Sequence, residues 1–112
     1  MQTLAQGTAD AGITARWESE RRPAELRWAT MHDGQVEKIA AACDFLEAEL
    51  ERRADSQPPD IGDIALVTAL SWVEFRKVHD FLRGRPRLAR WYAGLGARPS
   101  MLATTLKGQT HD

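Results

Sequence analysis

The chain has 112 residues, 43% of them hydrophobic and 28% charged, with a formal net charge of −1, so it reads as one small soluble domain with a core of its own. No run is long and apolar enough to span a membrane, no charged start followed by an apolar run marks a secretion signal, and a single cysteine rules out an internal disulfide and fits a reducing cytoplasm. The charge is unevenly placed: residues 1–75 hold 14 acidic and 7 basic side chains, residues 76–98 hold 1 and 7. The two parts are expected to attract each other within the fold. A nucleic-acid patch is the sharper alternative, but no aromatic–basic interleaving or known motif supports it.

Residues 3 to about 22 predict the first helix, rich in Ala, Leu, Gln, Arg and Glu and free of proline until Pro23. Leu4, Ala11, Ala15 and Glu18 fall on one side, Ile13 and Trp17 on a neighbouring one. Its small residues permit close approach by another helix or by a ligand. Pro23 is placed as the first residue of a second helix, from about Ala24 to Ala54. There Val36, Ile39, Cys43, Leu46 and Leu50, spaced 3, 4, 3, 4, form an apolar seam that Leu26 and Ala29 extend. Gly34 marks a bend or a close contact. Cys43, in mid-seam, reads as a small buried hydrophobe rather than a reactive thiolate. His32 has no second ligand at metal-binding spacing.

Asp55-Ser56-Gln57-Pro58-Pro59 is the clear loop. From Ile64 to Val73 there is then no charged side chain. The run is too long and too uniform for a strand, and predicts a third helix buried on every side. Asp60 and Asp63 stand at the spacing of a capping box, both at the positive end of the helix dipole, with Pro59 and Ile64 as a hydrophobic staple. A metal-ligand or acid–base role is the competing reading of the two aspartates; capping accounts for both. Residues 76–84 form a basic connector whose Val78, Phe81 and Leu82 fold back on the third helix. Pro86 opens a fourth helix with Leu88, Trp91, Tyr92 and Leu95 as its stripe and Gly94 and Gly96 as its close. Arg98-Pro99-Ser100 turns into a short last helix over 100–106, and 107–112 is a polar tail. No strand, repeat, phosphate loop, metal cluster or catalytic triad is evident. The expectation is an all-α bundle of about five helices with no metal and no covalently bound cofactor.

Two stretches carry a resemblance. Pro59-Asp60-Ile61-Gly62-Asp63-Ile64-Ala65 resembles the capped central helix of the glutathione S-transferase C-terminal domain, with Asp60 where that family usually has Ser or Thr. Arg85-Pro86-Arg87-Leu88-Ala89-Arg90-Trp91-Tyr92 and then Ala97-Arg98-Pro99-Ser100-Met101 resemble its next helix and the turn after it. The likeness covers residues 1–106 and is to the bacterial, theta-like members. In the family a thioredoxin-like domain precedes this one and brings the catalytic Ser, Tyr or Cys and most of the glutathione site. This chain starts inside the helical domain, so the resemblance implies no catalytic residue here. It does imply a wall for a hydrophobic small-molecule substrate on the first helix, around Asp10, Thr14 and Trp17, with glutathione as co-substrate. It further implies a face left bare, to be covered in a homodimer or by a separate thioredoxin-like domain. A free-standing protein-interaction module of the same fold, or a truncated gene product, is the alternative. Substrate and partner identity are not written in the sequence.

Overall fold

The computed structural model describes residues 2–53 and 58–107, and among these every regular element is helical. Helix α1 spans Gln2–Arg16, α2 Ala29–Arg52, α3 Ile61–Phe75, α4 Pro86–Gly96 and α5 Pro99–Ala103. Residues 55–57 of the loop expected over 55–59, and most of the polar tail, lie outside the described residues.

Helix α1 packs along both α2 and α3, α4 closes against α2 and α3, and α5 turns back on α4. The core is Ile39, Cys43 and Leu46 of α2, Leu66, Leu70 and Val73 of α3, Ala5 and Ala11 of α1, Leu88 of α4, and Phe81 from the connector. The seam of α2 is therefore buried at its centre. Val78 and Leu82 pack against the same cluster, and the buried Phe81 ring meets Tyr92 edge-on at 5.3 Å. The small residues of α1 serve a helix: Ala5, Thr8, Ala11, Gly12 and Ala15 are buried, and a Cβ on Gly12 would come within 2.9 Å of the Trp72 ring. A Cβ on Gly34 would meet nothing within 4 Å, so no close contact is made there.

Helix boundaries differ from the sequence reading at the end of α5, which stops at Ala103 and not near 106, and between α1 and α2. The first helix does not run evenly to 22. It widens into a π turn over Trp17–Arg21, and Pro23 then precedes a 3-10 turn over Ala24–Leu26 instead of opening α2. The cause is tertiary. Glu18, only 6% exposed, accepts the Trp28 backbone N–H at 3.0 Å and pairs with Arg22 at 3.3 Å. That bond satisfies the N-cap residue of α2 from outside the helix and puts a carboxylate at its positive end. Leu26 is 60% exposed and does not extend the seam.

The start of α3 is doubly fixed. Asp60 Oδ1 accepts the Asp63 N–H at 2.8 Å, and Asp63 Oδ2 accepts the Asp60 N–H at 3.0 Å. Arg53, at the end of α2, grips Asp63 with two N–H···O bonds of 2.9 and 2.8 Å. Helix α4 lacks a cap of its own. Glu47 of α2 supplies one, accepting the N–H groups of Arg87 at 3.1 Å and Leu88 at 2.6 Å. Arg85 bonds Asp44 at 2.8 Å and Arg87 lies 3.4 Å from Glu51. The basic segment and the acidic helix α2 thus attract within the fold.

One expectation for α3 fails. It is not buried on every side. Asp63, Leu66, Val67, Ala69, Leu70 and Val73 are buried, but Ile61 is 76% and Ile64 42% exposed, and Thr68 is exposed. Helix α3 is covered by α1 and α4 and is open along its remaining strip. Among the described residues no helix is long and apolar enough to cross a membrane.

Candidate functional site

Asp10, Thr14 and Trp17 fall at intervals of four and three, which sets them on one stripe of α1. All three are exposed. The stripe is held by short-range bonds: Gln6 Nε2 donates to Asp10 Oδ1 at 3.0 Å and Thr14 Oγ1 donates to the Asp10 carbonyl at 2.9 Å. Ile13, 42% exposed, widens it. At its end the Trp17 ring, 48% exposed, carries the Arg21 guanidinium 5.8 Å from its centroid. The small-residue side of α1, where the sequence reading centred this wall, is turned the other way and consumed by packing on α2 and α3. Close helix packing needs small residues, so the face free to meet a ligand is the one carrying larger side chains.

A second open region lies on α3 and α4, within the face that the resemblance implied would be left bare. The bare strip of α3 continues from Ile61 and Ile64 through Thr68 to Ser71 and Phe75, at helical intervals of three and four. Its C-terminal end forms one wall of a cleft of about 670 Å³, with Tyr92 and Ala93 of α4 and Met101 and Leu106 opposite. The walls are mainly apolar. The polar anchor is the Tyr92 hydroxyl, which donates to Glu74 Oε2 at 2.6 Å. Burial, and then that bond, push the Tyr92 phenol well above its ordinary range, so it stays protonated and keeps donating. In the sequence Tyr92 reads as one more member of an apolar stripe. The signal available was Glu74, the first charge after ten uncharged residues.

Cys43, 2% exposed, has its thiol pushed up to about 11 by burial, so no thiolate is present near neutrality. Among the described residues no three His, Cys, Asp or Glu side chains converge as metal ligands. His79 has a buried Nε2 with no hydrogen-bond partner, and burial, followed by the Arg85 charge, lowers its pKa; it is neutral. Asp60 and Asp63 are occupied by each other's backbone and by Arg53. The arrangement can present an apolar surface and pack against another body.

The family profile described as "Glutathione S-transferase, C-terminal domain" matches residues 10–94. Among solved structures, a glutathione transferase family member from Pseudomonas fluorescens Pf-5 with bound S-(propanoic acid)-glutathione is 35% identical with a TM-score of 0.81, the match covering 98% of this chain and 57% of that one. The same description with bound glutathione gives 36% identity and a TM-score of 0.81 over 96% and 52%. A glutathione S-transferase from Methylobacillus flagellatus KT, with glutathione bound, gives 28% identity and a TM-score of 0.85 over 95% and 54%. The chain spans little more than half the length of these solved relatives. A comparison with curated proteins finds no match.

Proposed function

Because this chain belongs to the glutathione S-transferase family through its C-terminal helical domain, we propose that it acts as the helical half of a glutathione transferase, in the cytoplasm, and is not catalytic alone. The observation that carries this reading is the bare side of α3. A helix with ten uncharged residues in succession, covered by α1 and α4, leaves Ile61 and Ile64 in water and opens into an apolar cleft. Burial of such apolar surface is the main drive for packing one body on another.

The strip and cleft of α3 and α4 then seat a thioredoxin-like half. The outward stripe of α1, with Asp10, Thr14 and Trp17, forms the wall against which a hydrophobic substrate lies. Trp17 gives apolar area, and Asp10 keeps one carboxylate oxygen, Oδ2, for a polar group of the substrate or of glutathione. Glutathione is a co-substrate held mostly by the other half. Forming its thiolate needs a donor or positive field aimed at the sulfur, which the other half is to supply. The solved relatives that bind glutathione are about twice as long as the matched segment, which supports this division of labour.

The test is conjugation of glutathione to 1-chloro-2,4-dinitrobenzene by the purified chain, alone and mixed with the N-terminal half of the Pseudomonas fluorescens relative. We expect no saturable rate from the chain alone and a rate that rises on mixing. A saturable rate from the homogeneous chain alone overturns the assignment.

A further inference from the structure

We propose that residues 19–28, between the end of α1 and the start of α2, form a strap that the Glu18 carboxylate latches shut over Trp17 and that opens as a unit while the helical core stays folded. Every residue from 20 to 30 is exposed, so no side chain of this stretch is anchored in the core. Leu26, 60% exposed, and Trp28, 57% exposed, are large apolar groups left in water. Segments with few buried contacts open locally well before the whole fold does.

Polar contacts that converge on Glu18 latch the strap. That side chain is buried on the body of the domain. Its Oε2 accepts the Trp28 N–H at 3.0 Å, and its Oε1 pairs with Arg22 at 3.3 Å. The strap is braced internally by Arg27, whose Nε donates to the Arg22 carbonyl at 2.8 Å and whose Nη2 reaches the Glu20 carbonyl at 3.5 Å. Closed, it lays the Arg21 guanidinium over the Trp17 indole. The π turn that begins at Trp17 is the hinge: π geometry is rare, and a local bulge of this kind persists where the surroundings impose it. Losing the latch removes that imposition, lets the strap swing and uncovers the indole.

The place of Trp17 on a substrate wall rests on the function proposed above. The strap itself is tested without any ligand, so the two stand or fall separately. Amide hydrogen exchange by NMR on the full chain, wild type against Glu18→Ala and Glu18→Gln, decides it. In Glu18→Ala, protection at the Trp28 amide is expected to fall about tenfold or more, as for a lost hydrogen bond to a charged group, and the Arg22 amide, which donates to the Trp17 carbonyl at 2.8 Å, loses protection as the π turn loosens. Leu66 and Leu70 in α3 keep theirs, and the Trp17 indole resonance shifts as Arg21 leaves the ring. Glu18→Gln, which keeps an acceptor but no charge, falls between, and it decides the matter alone should the alanine variant not fold. Unchanged protection at Trp28, an unmoved Trp17 indole, or an equal loss at Leu66 and Leu70 each overturns the proposal.

Discussion

Removing the Asp63 carboxylate strips three partners at once: the Asp60 N–H and both donating nitrogens of Arg53. Asp63 is 1% exposed and Arg53 18%, so the loss lies between that of a surface cap and that of a broken buried pair. Asp63→Ala is expected to cost about 3 kcal/mol in chemical denaturation. The acid side has a definite sign. Burial raises the Asp63 pKa, but the Arg53 bonds and the Asp60 N–H outweigh it and hold the carboxyl below its ordinary 3.8. A carboxyl depressed on folding stabilises above its unfolded value and stops doing so as pH falls through the folded one. The gap between wild type and variant should therefore be full near neutrality and shrink on acidification below about pH 4. A gap that is constant down to pH 2 contradicts the pairing. The box was legible because a residue and its partner three places on are fixed by helix geometry. The Arg53 grip was not, since nothing in the sequence fixes where the end of α2 lies relative to the start of α3.

Among elements, α1 shows how one helix can demand opposite things of one residue type. Gly7 and Gly12 both lie in it. A Cβ at Gly7 meets nothing within 4 Å, whereas at Gly12 it strikes Trp72. Gly7→Ala should stabilise by about 0.5–1 kcal/mol through helix propensity. Gly12→Ala should destabilise by about 1–2 kcal/mol, since overpacking against the indole exceeds the same gain. Denaturation midpoints that move in one direction for both would show that α1 does not pack on α3 through Gly12. Helix existence was readable throughout, from prolines, apolar spacing and caps. The end of α1 and the start of α2 were not, because Glu18 and Trp28 are partners only in space. The outward stripe of Asp10, Thr14 and Trp17 was placed on one helix face by spacing. Which face is outward was not, because small residues admit a helix and a ligand equally well. The cleft beside Tyr92 needs the fold of three separate segments and had no signature beyond Glu74.

For the molecule as a whole, the bare side of α3 with its cleft is an open apolar face, and contacts between domains typically cover roughly 600–1,500 Å². If this face awaits a second body, the chain on its own should hide it by pairing with another copy, since a two-fold contact needs no other partner. The direct measurement is light scattering at micromolar concentration, with a hydrophobic dye titrated into the same samples. The account predicts a particle of twice 12.5 kDa for the isolated chain, giving way to a one-to-one complex when a thioredoxin-like half is added. A clean 12.5 kDa particle that binds neither the dye nor that half would contradict it.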